Sequence, residues 1–132
     1  MKYFLDTNVI IDALKGKSEN IKNHFATINF TEIYIPSIVT AELEYGAVHS
    51  KDYEKNKNLY EDFVKNFEII PFDFECRKTY GKLRHELSLG GILIGANDML
   101  IAATAITYNS TLVTHNMREF ERISNLLLED WF

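Results

Sequence analysis

Apolar and polar positions along the chain fall into short blocks, each closed by residues that break it. Tyr3-Phe4-Leu5 is an apolar run that reads as a short strand, ended by Asp6-Thr7-Asn8, residues that favour turns and helix caps. Val9 to Leu14 then reads as helix, and Ser18 as the N-cap of a second helix running to about Thr27. Ile33-Tyr34-Ile35 is β-branched and aromatic and predicts a strand closed by Pro36, after which Ser37 caps a helix to about His49. Asp52 to Asn66 places Leu59, Tyr60, Phe63 and Val64 on one face of an otherwise polar helix. Phe67 to Ile70 predicts a strand stopped by Pro71, and Asp73 to Leu89 a helix ended by Gly90-Gly91. Ala96 to Tyr108 is apolar nearly all round, the mark of a buried helix. Thr111-Leu112-Val113 reads as strand, Met117 to Arg122 as a short helix, and Leu126-Leu127-Leu128 as a last strand. Short apolar strands alternating with helices predict an α/β protein with a mostly parallel sheet covered on both faces. Ligands of such sheets collect outside the carboxyl ends of the strands. Reactive groups just after strands or at helix starts are therefore the ones to weigh.

Composition narrows the class. A chain of 132 residues, 46% hydrophobic and 25% charged, predicts a single domain over 1–132 with a core of its own. No apolar stretch approaches the ~18 residues of a membrane helix, and Met1 to Asp6 meets a carboxylate too soon for a secretory segment. The lone cysteine, Cys76, excludes an internal disulfide framework and any cysteine-rich zinc site. The expectation is a soluble cytoplasmic protein with no membrane partner. Its 14 Lys and Arg against 19 Asp and Glu give a net charge of -5. That balance weighs against nucleic acid, because non-specific phosphate binding depends on basic surface.

The positions of particular acids point the other way. Asp6 follows the first strand, although a turn or cap aspartate is common there. On a helical wheel from Ile38, the residues Val39, Ala41, Leu43, Tyr45, Gly46 and Val48 form one broad apolar arc, and Glu42 falls inside it. A carboxylate on a core-facing stripe is costly unless it is paired or metal-bound, so Glu42 reads as a ligand or half of a buried salt bridge. Asp98 opens the most apolar helix, where it either meets the helix dipole or serves a site. Asp6, Glu42 and Asp98 all belong at one end of a parallel sheet. Carboxylates gathered there repel unless a cation lies among them, and hard oxygen donors suit Mg²⁺ or Mn²⁺. Glu119 follows the Thr111–Val113 strand and is a fourth candidate, but Asn116 with Glu119 is also a capping-box spacing. Asn8, Thr114 and Asn116 are neutral polar residues placed to orient water or a carboxylate. His24, His49, His85 and His115 are scattered and read as surface or hydrogen-bonding residues. Trp131 and Phe132 read as packing or interface aromatics. Lys51, Lys55 and Lys57, with Arg77, Lys78, Lys82 and Arg84, are the best available phosphate contacts.

Four stretches in order carry a family resemblance: Phe4-Leu5-Asp6-Thr7-Asn8, Ser37 to Gly46, Ile94 to Ala102, and Val113 to Phe120. With them the chain resembles, over essentially its whole length, the PIN-domain ribonucleases and specifically the VapC toxins of bacterial toxin–antitoxin pairs. The resemblance implies a three-layer α/β/α fold with a short, mostly parallel central sheet. It also implies Mg²⁺- or Mn²⁺-dependent endonucleolytic cleavage of RNA that inhibits translation. The family's acidic positions carry over to Asp6, Glu42 and Asp98 as catalytic and metal-binding residues. Many members have Asp where this chain has Asn116, whereas the Arg-Glu-Phe ending points to Glu119. Toxins with that ending resemble those that cut the anticodon loop of initiator tRNA. A VapB-type antitoxin and a homodimer are further implications of the resemblance.

Other classes fit less well. A haloacid-dehalogenase-type phosphatase needs a second Asp where this chain has Asn8. A receiver domain needs paired acids at the first strand. A PIN-like binding module without cleavage needs lost carboxylates, yet Asp6, Glu42 and Asp98 are all present.

Overall fold

The computed structural model describes residues 1–132. Five parallel strands, β1 (Tyr3–Leu5), β2 (Ile33–Pro36), β3 (Glu68–Ile70), β4 (Thr111–Val113) and β5 (Leu127–Glu129), form one sheet in the order β3-β2-β1-β4-β5. β1 is central. The chain first builds outward from it through β2 to β3, then returns to add β4 and β5 on its other side. That reversal makes the carboxyl ends of β1 and β4 the topological switch point, where a crevice opens. Helices α1 (Thr7–Lys15) and α2 (Glu19–Thr27) connect β1 to β2, followed by a 3-10 turn at Phe30–Glu32. Next come α3 (Ser37–His49) and α4 (Tyr53–Val64) between β2 and β3, and α5 (Cys76–Leu89) and α6 (Ala96–Thr107) between β3 and β4. The single turn α7 (Met117–Phe120) joins β4 to β5.

The short strands are apolar because helices cover both faces of the sheet. Phe4, Leu5, Ile33, Ile35, Leu112 and Val113 are all buried. α6 is buried from Ile101 to Ala105, as its all-round apolar surface predicts. Local chemistry ends the elements. Ser18 caps α2 by accepting the Ile21 N–H at 3.2 Å, and Gly16 ends α1 in the left-handed region at φ 66°.

Three expectations need correction. Ser37 does not cap α3; its Oγ accepts the N–H of Phe72 instead, tying the start of α3 to the end of β3. The helix expected from Asp73 begins at Cys76, because the Asp73 carboxylate accepts the Cys76 N–H at 3.1 Å. The apolar arc of α3 is narrower than the wheel suggests. Only Val39, Leu43 and Ala47 are buried, whereas Ala41, Tyr45, Gly46 and Val48 face outward. Glu42 therefore flanks the core-facing stripe and is partly exposed. An apolar side chain is no guarantee of burial, and α3 packs mainly through the i, i+4, i+8 row of Val39, Leu43 and Ala47, with Ile38 beside it.

Candidate active site

Asp6 leaves β1 at the crevice and is 4% exposed. Its backbone N–H donates to the Val113 carbonyl at 2.9 Å, extending the β1–β4 pairing by one residue. One carboxylate oxygen accepts the Thr7 N–H at 2.8 Å, and the other accepts the Thr114 hydroxyl at 2.8 Å. Thr114, buried after β4, also accepts the Asn116 N–H at 2.9 Å. Thr114 thus orients a carboxylate, as its position after a strand suggests. Burial pushes the Asp6 pKa up; the hydrogen bonds from Thr114 and Thr7 oppose the shift, and the negative charge of Glu42 adds to it.

Asp98 lies half-buried in the first turn of α6. Its pKa is pushed up to about 6, first by burial and then by the negative charges of Asp6, Glu42 and Glu119. The fields of three other acids therefore reach this one carboxylate. Those acids follow β1 or lie on α3 and α7, so segments far apart in sequence place all four expected acids within electrostatic reach of one another at Asp98. Gly95, which precedes α6, leaves room beside it: a Cβ there would stand 3.6 Å from Asp98 Oδ2.

Glu42 is aimed by a partner that sequence reasoning missed. The Thr7 hydroxyl donates to Glu42 Oε1 at 2.6 Å across 35 positions of sequence. Only the adjacency of Thr7 to Asp6 hinted at it. The buried salt bridge considered for Glu42 is not formed, and none of the four acids pairs with a cation. The capping box is not formed either: Asn116 stands at the N-cap of α7 without a side-chain cap bond, and Glu119 is partly buried. Asn8 is exposed on the first turn of α1 and takes no part in these hydrogen bonds.

The donor chemistry suits a hard divalent cation: oxygen ligands only, held in place, mutually repelling and uncompensated. No three acidic or imidazole groups are gathered into a ready-made cage. Beside Glu42 a groove of about 280 Å³ runs between α1, α3 and α4, lined by Ile11, Leu14, Lys15, Leu43, Asn56 and Tyr60.

A parallel sheet with acids concentrated at its switch point is the arrangement of a metal-assisted phosphodiesterase. The PIN domain family matches residues 3–126, and the chain belongs to that family. Within it, the chain is 45% identical over 132 residues to ribonuclease VapC2 of Rickettsia felis, covering 99% of this chain and 98% of the relative. It is 37% identical over 131 residues, with the same coverage, to the tRNA(fMet)-specific endonuclease VapC of Salmonella typhimurium. The fold agrees with the crystal structure of Rickettsia felis VapBC2 bound to a promoter DNA fragment, at a TM-score of 0.93 and full coverage of both chains. It also agrees with DNA-bound VapBC of Salmonella typhimurium, at a TM-score of 0.94, covering 100% of this chain and 99% of that one. The branch of the family is that of the VapC ribonucleases. No helix is long and apolar enough to cross a membrane.

Proposed function

We propose that this chain, as one PIN domain over 1–132, is the toxin of a type II toxin–antitoxin pair and a Mg²⁺- or Mn²⁺-dependent endoribonuclease. One observation supports the site assignment: the negative charges of Asp6, Glu42 and Glu119, from three other segments, all help to push the Asp98 carboxyl up, to about 6, and none of the four acids is paired with a cation. Asp6 and Asp98 are the direct metal-binding residues. Glu42 would help to hold the ion, and Glu119 would complete the acidic rim. A divalent ion bound there supplies Lewis-acid polarisation of the scissile phosphate and a more acidic water. The side chains of the protein do the positioning. Thr114 and the Thr7 N–H hold the Asp6 carboxylate, and the Thr7 hydroxyl holds Glu42, so the acids need little rearrangement when substrate arrives. A site at the carboxyl edge of the sheet suits an unstacked loop better than a duplex.

The Salmonella relative is named for the initiator tRNA, and on that likeness we assign the tRNA(fMet) anticodon loop as substrate. The VapBC complexes support a VapB-type antitoxin partner, whose C-terminal segment we place in the groove beside Glu42. A homodimer and a cytoplasmic site of action belong to the same proposal. Cleavage of purified tRNA with Mg²⁺ tests it. Asp6→Ala and Asp98→Ala should each reduce the rate at least about a hundredfold; undiminished cleavage by either variant would remove that residue from the site.

A further inference from the structure

Beyond β4 the chain builds an aromatic stack that the acids do not use. His115 follows Thr114, whose hydroxyl holds Asp6, and neighbouring Cα atoms lie ~3.8 Å apart. The imidazole turns to Asp130 and Phe132 beyond the carboxyl end of β5, and so stands at the carboxyl edge of the sheet on the β5 side of the acidic site. Its Nδ1 lies 3.1 Å from an Asp130 carboxylate oxygen. Phe132 stacks on the ring with centroids 4.0 Å apart and 27° between planes. Phe132 is oriented in turn by its own N–H, which donates to Asp130 at 3.0 Å.

With one face on Phe132 and Nδ1 against Asp130, the His115 side chain is still 59% exposed. More than half of the side chain is therefore left for another group to cover. Anchoring the segment after β5 does not require this stack. Trp131 already does so: it is fully buried, packs against Tyr3, His24 and Phe25, and its indole N–H donates to Glu129. His115 and Phe132 are thus a preformed, half-open aromatic pair at the rim of a site for single-stranded RNA.

We propose that His115, backed by Phe132, is a stacking platform for one base of the RNA beside the scissile phosphate. The inference rests on the ribonuclease reading above and adds a positioning residue to it. An unstacked base needs a flat partner to hold it outside the helix, and an aromatic face supplies one without regard to base identity. Such a contact also grips RNA without positive charge, which this acidic chain has little of to spare.

The test is steady-state cleavage of an anticodon stem-loop RNA with Mg²⁺, comparing the wild-type chain with His115→Ala, His115→Phe and Phe132→Ala. His115→Ala should raise KM about 10–100-fold, the usual worth of one base stack, with kcat changed less than about twofold. His115→Phe, which keeps the flat ring, should stay within about threefold of wild type, and Phe132→Ala should fall between. An abasic nucleotide placed at successive positions around the cut should erase the difference between wild type and His115→Ala at one position. An unchanged KM in His115→Ala, or an equal loss in His115→Phe, overturns the platform. Failure of the wild-type chain to cut any RNA overturns the ribonuclease reading instead. In that case the affinities of wild type and His115→Ala for the intact stem-loop, by fluorescence anisotropy, still decide the platform.

Discussion

Two threonines do much of the work around the acids. Thr114 donates to Asp6 and Thr7 donates to Glu42, so each of these carboxylates is held by a hydroxyl, and that of Thr114 is itself fixed by the Asn116 N–H. Removing such a supporting bond in a metal site commonly costs 10–100-fold in metal affinity or activity. Thr7→Val should therefore lower kcat about tenfold and raise the Mg²⁺ concentration needed for half-maximal rate, with little change in RNA KM. A Mg²⁺ titration of the cleavage rate reads both. Asp98 carries a second consequence. Its pKa is raised from 3.8 to about 6 on folding, so the folded chain holds this proton more tightly than the unfolded one. The stability tied to that proton is complete below about pH 4 and is lost as pH rises through about 6. Without divalent ions, Asp98→Asn should stabilise the protein at pH 7.5 by about 1–2 kcal/mol and hardly at all at pH 4. The gain is smaller than the full shift implies because water screens a half-buried group. Urea melts at the two pH values would show it; an equal gain at both would rule out relief of charge as the cause.

At the scale of elements, α6 is the piece that places an acid by being buried. Its row from Ile101 to Ala105 is covered by the sheet and by neighbouring helices, which leaves the first turn, with Asp98, at the crevice. Ile101→Ala should cost about 2–5 kcal/mol in chemical denaturation while leaving the catalytic carboxylates in place, so the folded fraction should still cleave. α3 is steadied differently. Glu44, two residues beyond Glu42, accepts the hydroxyls of Tyr53 and Tyr60 from α4, clipping together the two helices that wall the groove. Those bonds hold the Glu44 carboxyl below its usual pKa. α3 is also where reading by pattern misleads. Its apolar residues occupy too much of the circumference to reveal which row meets the sheet, and Glu42 was expected deeper than it lies. Asp73 accepts the Cys76 N–H and also the Tyr108 hydroxyl, so one carboxylate sets the start of α5 and ties it to the end of α6.

Across the whole molecule, a charge of -5 and a ribonuclease fold are compatible because the acids that matter are gathered at one edge. A divalent ion there reverses the local sign, while the remaining surface discourages indiscriminate binding of RNA. The dependence of RNA affinity on salt should then be shallow, with a log–log slope less steep than about -3. Anisotropy measured with the Asp98→Asn variant between low and physiological salt would check this. A steeper slope would give the lysines and arginines of α4 and α5 a larger share of recognition than loop shape and stacking.

Periodicity and punctuation in the sequence determined the α/β class, the order of strands and helices, and three or four acids placed after strands or at helix starts. Those features are local: a run of Val, Ile and Leu closed by Pro or Asp reads the same whatever surrounds it. Only the tertiary structure decided how deep each acid lies and which hydroxyl aims it. It also decided whether Asn116 and Glu119 cap a helix, and that His115 carries Phe132 on one face. The hydroxyls that aim Asp6 and Glu42, and the partners of His115, lie between 15 and 108 residues away in sequence, brought together because the sheet reverses its winding at β1. Burial and charge at the site are consequences of that reversal, and no window of neighbouring residues contains it.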